Sequence, residues 1–140
     1  MNNLEKALNR QREETELRRE AFLKEAICLK INDSIRGQII TARNSHEKYV
    51  AFTEEDAAML KSAVLKHYEN FEMVLLGKYP KLSQSDLQLC QLYLLGLDER
   101  QIAVLQNKSY SAIKKRANTL KNTLGLNESL PSYLLKISSF

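Results

Sequence analysis

The stretch LSQSDLQLCQLYLLGLDERQIAVLQNKSYSAIKKRANTLKNTLGL, residues 82–126, decides how this chain folds. It specifies three short helices joined by tight turns. Ser83 opens the first, with Asp86 three positions on to complete a capping box. Leu87, Leu89, Cys90, Leu92, Tyr93 and Leu95 give this helix a broad apolar face, and Gly96 is placed to end it in the left-handed conformation. Asp98 with Gln101 repeats the start signal for a second helix, whose Ile102, Ala103 and Leu105 face inward. Ala103 is small where two helices must approach closely. Asn107, Lys108 and Ser109 form a turn, and Ser109 or Ser111 caps a third helix that runs to about Leu124, with Gly125 as its stop.

In that third helix Ile113, Ala117, Leu120 and Leu124 recur at steps of three or four and make a buried stripe. Lys114, Lys115, Asn118, Lys121 and Asn122 lie on other faces, with Arg116 beside the stripe. In a helix-turn-helix the second helix of the motif enters the DNA major groove and its N-terminal residues meet base edges. Lysine and arginine contact phosphates or guanine, and asparagine bonds adenine. The same four cations on one helix also suit an ordinary solvated surface. The caps and turns are therefore a more specific signal for architecture than the charges are for DNA.

The rest of the composition agrees with a helical chain. At 140 residues there is room for one modest domain plus an extension. Only four glycines and two prolines interrupt it, and no sustained alternation marks a strand. The net charge of +4 is unevenly placed: residues 1–80 hold 13 basic and 13 acidic side chains, whereas residues 81–140 hold 8 and 4. A local basic excess favours a polyanionic partner. Cys28 and Cys90 each sit in an apolar helical run, as reduced core residues do. His46 and His67 have no ligand neighbour at metal spacing, so no metal or other cofactor is expected. No secretory leader and no apolar run of membrane-spanning length is evident, which points to a cytoplasmic, soluble chain.

Upstream, residues 3–43 contain one glycine and no proline, and begin with LEKALNRQREETELRREAFLKEA, rich in helix formers. Glu14 and Arg18 are oppositely charged at helical spacing. Leu23, Ile27, Ile31, Ile35 and Ile39 form a ridge that must be buried, and a heptad seam can be drawn through Leu17, Ala21, Lys24, Cys28, Ile31 and Ile35. The expectation is a long helix whose first turns project and whose later turns pack on the chain or on a second copy, with homodimerisation preferred. Residues 44–53 read as a connection. Thr53 with Asp56 then starts a helix that breaks near Asn70 and is ended by Gly77 and Pro80. The sequence thus predicts an all-α chain: a long helix and dimerisation segment over 1–43, a coiled coil in the heptad reading; a helical connector over 44–80; and a helix-turn-helix bundle over 81–140.

Residues 82–126 resemble the LuxR/GerE-type helix-turn-helix, whose pattern runs roughly LTxRE…L…G.SNKEIA..L.IS..TVK.HR.NI..KLG. Here the corresponding pieces are LSQSD, LLGLDERQIAVL and KSYSAIKKRANTLKNTLG, with Ile102, Ala103, Ser109, Ile113, Lys114, Leu120, Leu124 and Gly125 in register. The preceding ENFEMVLLGKYPKLSQSDLQLC and the closing LPSYLLKI are similar to the C-terminal region of bacterial regulators that combine a tetratricopeptide sensor, a membrane helix and a coiled coil. The resemblance implies a DNA-binding transcriptional regulator with double-stranded DNA, and RNA polymerase, as partners. Both a stand-alone regulator and the cytoplasmic part of a longer membrane-anchored one fit it.

Carried onto this chain, the resemblance assigns DNA contact to Ser109, Tyr110, Ser111, Lys114, Lys115, Arg116, Asn118 and Lys121. Three departures bear on it. Lys108 stands where the family has an apolar turn residue, Ala117 where it often has arginine, and the fourth helix is reduced to about residues 131–137. The alternative is an adaptor that contacts a sigma factor, polymerase or other regulator without binding DNA. An enzyme is not expected: there is no glycine-rich phosphate loop, metal cluster or nucleophile–base pair.

Overall fold

Side-chain caps set the helix starts where the sequence places them. Thr53 Oγ1 accepts from the Asp56 N–H while the Asp56 carboxylate accepts from the Thr53 N–H, both at 3.1 Å. Ser83 with Asp86 and Asp98 with Gln101 make the same reciprocal pair. Each box satisfies two amide donors that a helix start would otherwise leave open.

The computed structural model describes residues 2–44 and 52–138, and all of their side chains except those of 38–44. The described residues form eight helices and no strand: α1 (Asn3–Leu23), α2 (Ala26–Asn44), α3 (Glu54–His67), α4 (Phe71–Lys78), α5 (Gln84–Leu94), α6 (Glu99–Gln106), α7 (Tyr110–Thr123) and α8 (Leu130–Ser138). The chain is all-α, with a long N-terminal helix and a C-terminal helical bundle. The expected connection over 44–53 lies mostly outside the described residues. The expected break near Asn70 separates α3 from α4. Gly77 lies inside the last turn of α4, and Tyr79 rather than Gly77 is its cap.

The N-terminal segment differs from the single helix expected over 1–43. It breaks at Lys24–Glu25, where the Lys24 amide bonds Glu20 O and the Glu25 amide bonds Phe22 O. The physical cause is tertiary. Phe22 is fully buried beside Tyr68 and His67, with edge-on ring centroids 5.3 and 6.1 Å away. Glu25 is drawn to the end of α3, its carboxylate 2.7 Å from His67 Nε2 and 3.1 Å from Lys66 Nζ. The hydrogen bonds from His67 and Lys66 hold the Glu25 carboxyl below the usual carboxylate range. The drawn heptad seam is therefore discontinuous: Leu17 and Ala21 are exposed, whereas Cys28, Ile31 and Ile35 are buried.

The isoleucine ridge is covered by this chain itself. Ile27, Ile31 and Ile35 on α2 are at most 4% exposed, and α2 packs on α3 and α6. Each such side chain contributes on the order of 2 kcal/mol by burial. Ile39 lies outside the described side chains. One apolar cluster runs from Phe22 through Leu60, Leu92 and Ile113 to Ile137. The N-terminal helices and the 82–126 unit thus share a core.

Two adjacent arginines of α1 tie that core at its far end. Arg19 Nη1 donates to Leu94 O at 3.0 Å and Arg18 Nη1 to Ser138 O at 3.3 Å. The Leu94 and Ser138 carbonyls at the ends of α5 and α8 are thus both met by guanidinium donors from one helix.

Candidate nucleic-acid interface

The turn between α6 and α7 is built by Asn107, whose backbone is left-handed at φ 55°. The Lys108 amide reaches back to Ala103 O at 2.9 Å, closing the end of α6. Asparagine tolerates this conformation better than other side-chain-bearing residues. Gln106 Nε2 donates to Gln88 Oε1 at 3.0 Å and joins the end of α6 to α5. Ser109, and not Ser111, is the N-cap of α7: its Oγ accepts from the Ala112 amide at 3.1 Å. Gly125, at φ +65°, ends α7, with the Leu126 amide returning to Lys121 O.

Burial of Ile113, Ala117, Leu120 and Leu124 fixes the rotation of α7. At about 100° per residue, Ser111, Lys115, Asn118 and Asn122 then point away from the core. Tyr110, Lys114 and Lys121 line one flank. Ser109, Tyr110, Ser111, Lys114, Lys115 and Asn118 are all exposed, and Lys121 is half-buried. The main packing partner of α7 is α6, so the N-terminal helices leave this arc open.

Arg116 is placed differently from the other expected contacts. It lies on the opposite flank, where its guanidinium donates to Ser85 Oγ and, at 3.3 Å, to Ser85 O on the first turn of α5. Its role in the fold is to join α7 to α5, beside a groove that Lys108 and Gln106 also line. The structure therefore gathers six of the eight expected residues on the open arc and its flank, uses Ser109 as the helix cap, and turns Arg116 to the opposite flank.

A further cation joins the open side. The Arg100 guanidinium of α6 lies 4.8 Å from the Tyr110 ring centroid, and Lys114 Nζ lies 5.6 Å from it. Both distances allow a cation–π contact. The phenol ring holds two positive groups at the entrance of α7, one from each helix of the pair. The sequence offered no spacing that links Arg100 to Tyr110, because the contact exists only after the turn brings α6 against α7.

No protein-family model, curated protein or solved structure matches this chain.

Proposed function

We propose that the chain is a DNA-binding transcriptional regulator that uses α6, the turn and α7 as a helix-turn-helix, acting as a homodimer. The observation that carries this reading is the open arc of α7. Ser111, Lys115 and Asn118 face outward from a helix whose rotation the core fixes, and Lys114, Tyr110 and Arg100 stand at its entrance. In this reading the lysines and Arg100 neutralise phosphates, while Ser111 and Asn118 meet base edges in the major groove. The motif resemblance of residues 82–126 supports the same reading, and so does the basic excess of residues 81–140.

The test is DNA affinity measured against salt concentration. Lys114→Ala and Lys115→Ala each reduce the slope by about one per lost phosphate contact. Unchanged affinity and slope in both variants would remove α7 from any DNA interface.

A second reading has its own observation. The groove between α2 and α3 is lined by Ala26, Ala58, Met59 and Ser62, with Met59 45% exposed. An adaptor that docks a polymerase or sigma-factor helix there would keep its partner in a Lys114→Ala/Lys115→Ala variant, whereas the DNA reading predicts loss of its ligand.

A further inference from the structure

The first three turns of α1 stand clear of the core that the rest of the chain shares. Residues 2–14 are exposed throughout, including Leu4 and Leu8 at 68% and 46%. An isolated helix of this length is marginal in water. Leu4, Leu8, Gln11, Thr15, Arg18 and Phe22 follow one another at alternating steps of four and three, the spacing of a coiled-coil seam. The C-terminal end of this seam is occupied: Phe22 is fully buried and Arg18 bonds Ser138 O. Its N-terminal end is open, and a groove lined by Leu8, Gln11, Arg12 and Thr15 runs along it.

We infer that the open half of this seam, Leu4 to Thr15, docks the same segment of a second copy of this chain in antiparallel orientation, with Leu4 opposite the second copy's Thr15 and Leu8 opposite its Gln11. Two observations choose the polarity. A parallel helix would continue through its own residues 18–23 along the face where α8 already meets α1, so the second copy would collide with this chain's core. An antiparallel helix uses only the four open seam positions. The flanking charges agree. Glu5 and Arg12 lie seven positions apart on the same side of the seam, so the antiparallel register sets each Glu5 beside the second copy's Arg12, twice per dimer. The other flank brings Ala7 to Glu14 and carries no repulsion. The parallel register would instead pair Glu14 with Arg19, whose guanidinium is engaged at Leu94 O. At the end of the pairing, Leu4 of the second copy arrives at Thr15. There Arg19 and the exposed Leu135 of α8 line a second groove.

This inference deepens the dimer within the reading above. Its test uses no DNA, so failure of the pairing and failure of the DNA reading are separable. Sedimentation equilibrium of the full chain measures the dimer constant, with thermal unfolding as the control for folding. Glu5→Arg alone and Arg12→Glu alone should each weaken dimerisation by about tenfold, because two attractive pairs become repulsive. The Glu5→Arg/Arg12→Glu double variant should return to within about threefold of the original, since the pairs are re-formed with exchanged signs. Cysteine cross-linking reads the register directly. A mixture of Leu8→Cys and Gln11→Cys chains should form a mixed disulfide in preference to either chain with itself. A monomer at all concentrations, single reversals without effect, failure of the double variant to recover, or preferential self-linking of Leu8→Cys would each overturn the pairing.

Discussion

Arg100 and Tyr110 sit on different helices and meet across the turn, the guanidinium carbon over the ring and 4.8 Å from its centroid, with Lys114 on the same phenol. The contact ties the first turn of α7 to the first turn of α6, across a turn of only three residues. It also stores two cations where the proposed reader helix begins. Tyr110→Phe should preserve the stacking and leave DNA affinity within about threefold, whereas Tyr110→Ala should weaken it by about tenfold through loss of the held cations. Fluorescence anisotropy with a labelled duplex checks both, and equal losses in the two variants would point to the hydroxyl instead of the ring.

Part of the acid sensitivity should come from the start of α3. The Asp56 carboxyl is buried and held below its usual pKa, first by Lys30 Nζ at 2.7 Å and then by the Thr53 amide. A depressed carboxylate stabilises the fold fully above its unfolded pKa of about 4 and loses that contribution as pH falls through the lower folded value. Because Lys30 is 56% exposed, solvent screening discounts the ion pair, and the Thr53 cap adds to it. Asp56→Ala should cost about 1–2 kcal/mol at neutral pH and flatten the acid side of a melting-temperature profile. The Glu25 carboxylate, lowered by His67 and Lys66, acts in the same direction.

The shared core makes α2 a structural requirement for the basic unit. Ile31, 2% exposed, faces the body of the chain that α3 and α6 complete. Ile31→Ala should cost about 3 kcal/mol in urea unfolding. Leu4→Ala, at a position 68% exposed, should cost less than about 0.5 kcal/mol in the monomer. Nearly equal effects would contradict the burial pattern.

Two glycines at helix ends should respond unequally to alanine. Both have positive φ, +84° at Gly96 and +65° at Gly125. A Cβ at Gly125 meets nothing within 4 Å, so only the conformational penalty of about 1–2 kcal/mol applies. At Gly96 a Cβ would stand 3.1 Å from Arg19 Nη2, the arginine that also bonds Leu94 O. Gly96→Ala should therefore lower the melting temperature more than Gly125→Ala.

Neither cysteine should react while the chain is folded. Cys28 and Cys90 are fully buried, and desolvation pushes both thiols up to about 12. Labelling with a maleimide should be slow in native buffer and complete, at two equivalents, in denaturant.

What could be read from the residues depended on the range of the interaction. The capping pairs at Thr53, Ser83 and Asp98 are three residues apart, and each forms as expected. The inward stripe of α7 was legible for the same reason, being a periodic pattern within one helix. The break at Lys24–Glu25 was not, because no glycine or proline marks it. It is imposed by Phe22 entering the core and by Glu25 reaching residues more than forty positions away. Arg100 was missed, and the Ser85 partner of Arg116, which was read as lying beside the stripe, was not foreseen, on the same account: Tyr110 and Ser85 become their neighbours only after folding.

The guanidinium pair of Arg18 and Arg19 has a mechanical consequence. Helix α1 is 21 residues long, a rod of about 30 Å, bare for its first half and gripping two other helices by their final carbonyls near the other end. Such a rod is a lever with its fulcrum at the core. A torque applied to its free arm is delivered first to the tails of α5 and α8, and α5 is the helix on which Arg116 anchors α7.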